Sequence, residues 1–155
     1  MNYWNQEIVP HLGKNGVEYV GEVNDQQKNV LLGSAAALVV PIEWEEPFGI
    51  VFAEALACGT AVICSPRGAL PEFIENGIHG FHIHSVEEGI QAIAKLSTIS
   101  RHACREHAEQ RLSVHIATDR YLKLYDQCLQ STHPKFQGLT LRDRGYRGTE
   151  NHLLH

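Results

Sequence analysis

The sequence has no apolar run long enough to cross a membrane as a helix. The longest stretch, from Gly49 to Cys64, is interrupted by Glu54, whereas a span needs roughly 18 such residues. The start, Met1-Asn2-Tyr3-Trp4-Asn5-Gln6, lacks the basic region and apolar core of a secretory signal, so a cytoplasmic location is expected. Positive charge is also in short supply: 13 Lys and Arg against 18 Asp and Glu give a formal net charge of −5. That balance argues against nucleic acid or an anionic membrane as a partner. A phosphate-bearing ligand would have to be held locally. Cysteine is scarce, and Cys58, Cys64, Cys104 and Cys128 show no C-x-x-C spacing. Each lies in an apolar or helix-like segment, which reads as a buried reduced thiol rather than part of a disulfide framework or zinc site. What remains is 155 residues, 43% of them hydrophobic, enough for the core of one domain and no argument for two.

Val17-Glu18-Tyr19-Val20 alternates as a short strand would, and Asn24 with Gln27 three positions on predicts a capping box for a helix to about Ser34. The continuous apolar run 37–42 suits a strand buried on both faces and ended by Pro41. A helix is expected from Phe48 to Cys58, stopped by Gly59, followed by a second buried strand over 60–64. After a turn at 65–68 come a short helix with Pro71 in its first turn and a last strand over 80–83. These four strands alternate with helices, so a Rossmann-like parallel sheet flanked by helices is the expected α/β fold. Ser85 with Glu88 caps a further helix carrying Val86, Ile90, Ile93, Ala94 and Leu96 at helical spacing. A weaker helix is expected over 101–111, and a third behind Ser113 carries the stripe Val114, Ala117, Tyr121, Leu124, Tyr125 and Cys128. Residues 131–155 are polar, with scattered glycines and charges, and read as a mobile tail to a domain spanning 1–130.

Parallel sheets of this kind bind ligands at the carboxyl ends of their strands. Directly after the strand 37–42 comes Glu45-Glu46-Pro47-Phe48-Gly49-Ile50-Val51-Phe52-Ala53-Glu54. The first turn of the helix there offers backbone N–H groups without intrahelical acceptors and the positive end of the helix dipole. Gly49 lets a ligand approach the backbone, and the combination is a phosphate site. Glu46 precedes the helix and Glu54 lies about one and a half turns into it, so two carboxylates flank the amides. Each could accept hydrogen bonds from neutral sugar hydroxyls, one at a hexose and one at a ribose. Read singly, Glu46 is an ordinary acid stabilised by the helix dipole and Glu54 a solvated helix carboxylate. Glu54 is, however, the only charged residue between Phe48 and Ser65. A carboxylate in such a stretch needs a partner, for which a ligand hydroxyl is one candidate.

The window from Glu46 to Thr60 resembles the E-x7-E signature of the group 1 (family 4) retaining glycosyltransferases. The likeness extends to Val17–Val23 upstream, to Gly68-Ala69-Leu70-Pro71-Glu72 and Gly77-Ile78-His79-Gly80-Phe81 downstream, and to the closing helix around Tyr121–Tyr125. The resemblance implies the second, nucleotide-sugar-binding domain of a GT-B enzyme. Glu46 would hold a hydroxyl of the donor sugar, and it is the residue expected to carry the catalytic role. The amides of Phe48, Gly49, Ile50 and Val51 would line sugar and phosphates, and Glu54 would bind the ribose. The family transfers the sugar with retention and usually without a metal or other cofactor, by stabilising the departing diphosphate.

It also implies an Arg and a Lys from a first strand-helix unit, and an opposing acceptor domain in cis or in trans. Neither is matched in this sequence, which is therefore expected to begin inside a domain of the enzyme. Lys14 and Arg67 are the cations considered as substitutes, neither in the expected motif. A non-catalytic nucleotide-sugar-binding module or an inactive gene fragment is the alternative.

His79, His82 and His84 could be read as a zinc group, but solvated or hydrogen-bonded imidazoles are the preferred reading and no metal is expected. The stripe on the closing helix packs either on this domain or on the opposing one, in whose absence part of it is expected to be exposed or to drive self-association. An open sheet edge would likewise admit a homodimer.

Overall fold

The computed structural model describes residues 2–132. Its elements are helix α1 (Asp25–Ser34), strand β1 (Ala37–Val40), α2 (Ile50–Ala57), β2 (Ala61–Cys64), α3 (Leu70–Phe73), β3 (Gly80–His82), α4 (Val86–Ala94), α5 (Arg101–Arg111) and α6 (Val114–Thr132). Ser131 and Thr132 close α6 rather than opening a tail, and the rest of the expected tail lies outside the described residues. No helix among the described residues is long and apolar enough to cross a membrane.

The three strands form one parallel sheet in the order β1-β2-β3, with Val39 level with Ile63 and Ile63 level with Phe81. Alternation along β2 sends its residues to two cores. Val62 and Cys64 join Leu32, Phe52, Leu56, Leu70, Ile74 and Cys104 on the face covered by α2 and α5. Ile63 meets Ile83 and Ala92 beneath α4 on the other. Every residue of β2 is buried, which explains why it reads as a continuous apolar run rather than an alternating one.

The caps form where the sequence places them. The Asn24 side chain accepts from the Gln27 N–H at 2.9 Å, and the Gln27 side chain accepts from the Asn24 N–H at 3.0 Å. Ser85 accepts from the Glu88 N–H at 3.2 Å. Helix α2 ends just before Gly59, whose φ is +70°. Its start differs from expectation: Phe48 belongs to the loop, because Gly49 adopts φ +77° and the helix can begin only after it.

The strand expected at Val17–Val20 does not form. These residues are unpaired by any strand, and Val17, Tyr19 and Val20 are exposed. Their contacts are local. Val17 exchanges backbone hydrogen bonds with Gly13 and Lys14, and Tyr19 meets the ring of Trp4 edge-on with centroids 4.8 Å apart. Trp4 sits in a π-helical turn, Trp4–Ile8, that no periodicity signals. An isolated strand has no ladder to stabilise it, so apolar character alone leaves this segment irregular. Among the described residues the sheet therefore has three strands, not four.

One side chain ties the amino ends of the strands to the helices. Arg101, at the start of α5, donates to the carbonyls of Gly33 at 2.6 Å and Ala35 at 2.8 Å, and to the Thr60 hydroxyl at 3.2 Å. The buried Thr60 hydroxyl in turn donates to Leu32 O at 2.5 Å. A cation at the carboxyl ends of helices completes carbonyls that have no intrahelical donor.

Candidate functional site

The loop joining β1 to α2 is fixed by main-chain contacts to the turn after β2. The Glu46 carbonyl accepts from the Ala69 N–H at 2.8 Å, and the Glu45 carboxylate accepts from the Gly68 N–H at 2.5 Å. Gly68 is required for this approach, since a Cβ there would stand 2.2 Å from the Glu46 carbonyl oxygen. The two loops at the carboxyl ends of β1 and β2 thus act as one platform. Arg67 faces Glu45 from the same turn, its Nη1 3.4 Å from Oε1.

Glu46 is half-buried at the mouth of this platform. The Trp44 indole N–H donates to its Oε2 at 3.0 Å, and the Phe48 N–H donates to its Oε1 at 3.4 Å. Behind it α2 begins at Ile50, and no backbone carbonyl among the described residues accepts from the N–H of Gly49, Ile50 or Val51. Those amides and the helix dipole make the start of α2 electropositive. The side chains of Phe48 and Ile50 are exposed, and the Phe48 ring lies 5.7 Å from that of Phe73.

Glu54 lies further along α2 on the face turned to α1. Its Oε1 accepts from Lys28 Nζ at 2.6 Å, and Lys28 also reaches Asp25 Oδ1 at 3.2 Å. The Lys28 ammonium is held above its ordinary pKa, first by the hydrogen bond to Glu54 and then by that to Asp25. The partner that Glu54 requires is therefore a lysine of this chain, which the sequence reading did not name. The only local signal was the i,i+3 spacing of Asp25 and Lys28. The tie to Glu54 spans 26 residues and leaves no periodic trace. Trp44 was also missed, although its tie to Glu46 spans only two residues.

The two cations considered earlier are engaged elsewhere. Arg67 is on Glu45, and Lys14 donates to the Pro10 carbonyl at 2.8 Å within the amino-terminal turns.

A groove of about 810 Å³ opens on the α4 side of the sheet, between Val39, Glu43, Arg67, His84 and Ile90. Glu45 and Arg67 of the platform line it, whereas Glu46 and Glu54 do not. The three histidines do not converge. His79 is buried and stacks on His107 of α5, with ring centroids 3.9 Å apart. Among the described residues no three metal-ligating side chains group together.

A parallel sheet with helices on both faces, and a carboxylate-flanked helix start beyond its strands, defines a Rossmann-like α/β domain. Residues 5–111 match the family described as glycosyl transferases group 1. The chain belongs to that family. It is 34% identical over 116 residues to a D-inositol 3-phosphate glycosyltransferase of Saccharomonospora viridis, covering 69% of this chain and 26% of that protein. An alpha-maltose-1-phosphate synthase of Mycobacterium tuberculosis is 33% identical over 113 residues, covering 64% of this chain and 29% of the relative. A lipopolysaccharide 1,2-N-acetylglucosaminetransferase of Salmonella typhimurium is 36% identical over 77 residues, 50% of this chain and 20% of its own length. The matched region thus spans between a fifth and three tenths of these relatives.

Proposed function

We propose that this chain supplies the donor-binding domain, residues 1–130, for glycosyl transfer from a nucleotide-diphosphate sugar with retention of configuration. The observation that carries the reading is the start of α2. Amides of Gly49, Ile50 and Val51 without backbone acceptors follow one carboxylate, Glu46, oriented by Trp44 and the Phe48 N–H, and precede another, Glu54, held on one oxygen by Lys28. A diphosphate suits the amides and the helix dipole, while hydroxyls at either end suit the carboxylates. Glu46 takes a hydroxyl of the donor sugar and Glu54 the ribose, with the Phe48 amide completing the lining. In the transfer step, charge develops on the departing diphosphate, and dipoles aimed at it lower the barrier. The acceptor would be bound by an opposing domain of a GT-B architecture, in the same or another chain.

A specific observation favours a second reading, a module that binds nucleotide-sugar without transferring it. Lys28 and Arg67 are each paired with a carboxylate, so neither offers an unneutralised charge to the diphosphate. Calorimetric titration of the 155-residue chain with UDP, GDP and ADP tests the shared part of both readings. Binding of one nucleotide, weakened about tenfold or more by Glu54→Ala, is expected, the loss of roughly one charge-assisted hydrogen bond. Absence of binding by all three would remove both readings. Sugar transfer on adding an acceptor domain of a relative would then separate the enzyme part from the module.

A further inference from the structure

We propose that Lys28 is the positioning residue that sets the ribose-reading carboxylate, Glu54, and thereby the preference of the site for ribonucleotides. The inference rests on the donor-binding reading above. Glu54 stands on a helix whose other residues, Ile50 to Ala57, are all apolar, so nothing on α2 itself can hold the carboxylate. Its terminal torsion is intrinsically broad. The fixing contact comes instead from α1, where Lys28 Nζ takes Oε1 at 2.6 Å. Oε2 is left to accept from a ligand.

The lysine is itself anchored. Asp25 holds the same ammonium at 3.2 Å from within α1, and the Asn24–Gln27 capping box fixes the first turn from which both side chains project. Side-chain exposures of 28% for Lys28 and 31% for Glu54 place the pair at the edge of solvent, where a ligand can reach it but bulk water does not surround it. A single oriented oxygen can then accept from vicinal ribose hydroxyls, whereas a freely rotating carboxylate could serve any polar edge.

The test is calorimetric titration of the unchanged chain, Lys28→Met and Lys28→Arg with whichever of UDP, GDP or ADP binds tightest, and with its 2′-deoxy counterpart. Thermal unfolding of each variant is followed in parallel. Lys28→Met is expected to weaken the ribonucleotide about tenfold, as loss of one oriented charge-assisted hydrogen bond implies. It should change the deoxynucleotide by less than about twofold, so that the ratio of the two affinities collapses. Lys28→Arg, which keeps a donor on Oε1, should recover most of the ratio. Equal weakening of both nucleotides by Lys28→Met, or an unchanged ratio, would make Lys28 a structural tie between α1 and α2 and overturn the inference. If the unchanged chain binds both nucleotides equally, the assignment of Glu54 to ribose falls with it while nucleotide binding stands. If none of the three nucleotides binds, the donor-binding reading itself falls.

Discussion

Gly49 and Phe52 share a space that leaves no room for one more carbon. A Cβ on Gly49 would stand 2.4 Å from Phe52 Cδ2 and 2.8 Å from Cε2, and the backbone there has φ +77°. Phe52 is buried in the main core, so it cannot move aside freely. Gly49→Ala should therefore destabilise the fold by about 1–3 kcal/mol, the usual cost of a left-handed non-glycine residue, with the steric clash adding to it. Gly33, inside α1 with nothing within 4 Å of its would-be Cβ, is the contrast. Gly33→Ala should be neutral or stabilise by up to about 1 kcal/mol. Urea midpoints of the two variants decide the matter, and a Gly49→Ala midpoint at or above that of the parent would contradict it.

Arg101 is expected to matter more to stability than an exposed arginine usually does, because its guanidinium serves Gly33, Ala35 and Thr60 at once. Lysine cannot reproduce that fork. Arg101→Lys should lose about 1–3 kcal/mol in denaturant unfolding, in keeping with hydrogen bonds from a charged donor. A loss below about 0.5 kcal/mol, typical of an ordinary surface change, would show that water replaces these contacts.

The stacked pair His79 and His107 gives the fold a dependence on mild acid. Burial pushes both imidazoles below their ordinary pKa. For His79 the nearby His107 adds to this, while Arg111 acts in the same direction on both and Glu75 against it. Burial lowers His82 as well. Because the unfolded chain binds these protons first, stability is full above the unfolded value of about 6.5 and falls as pH drops below it. The melting temperature should decrease from about pH 7.5 to about pH 5.5, above the range of ordinary carboxylates. His107→Phe should flatten part of the slope, leaving the shares of His79, lowered first by burial, and His82. A melting temperature equal or higher at the acid end would refute this.

The four thiols should separate by access. Cys64 is buried and its thiol is pushed up to about 12 by that burial. Cys104 is buried and raised too, with Arg101 acting against the rise. Cys128 is exposed and Cys58 half-buried. A disulfide reagent at about pH 8, which attacks thiolates, should label Cys128 at once and Cys58 slowly, and reach Cys64 and Cys104 only after denaturation. Prompt labelling of Cys64 would mean that β2 is not the closed strand described. The outcome also tests the reading of all four as buried, which Cys128 already departs from.

Much of this was legible in the chain because the signals were local. Asn24 with Gln27, Ser85 with Glu88, Gly59 after an apolar helix and the run 61–64 each state an element within a few residues. Glu46 and Glu54 stand out for the same reason, their spacing around Gly49 being short, and their roles belong to the proposed function. What was not legible depends on distant partners. Val17–Val20 has the apolar character of a strand but no neighbour to pair with, and the arrangement around Trp4 and Tyr19 is set by tertiary contact. Lys28 looks like a helix surface charge until α1 and α2 are brought together. The stripe on α6 could be read either way, and Tyr121, Leu124 and Tyr125 prove to be exposed.

Helix α2 is eight residues long, with the candidate ligand amides at one end and the Arg101 anchorage beneath the other. So short an element opens as a unit rather than by halves. Occupancy at its front should therefore slow deuterium uptake at its back, at the amides of Cys58 and Thr60, whose acceptors are carbonyls of α2 itself. Those two amides would serve as a reporter of ligand binding built into the backbone, readable before the chemical identity of the ligand is known.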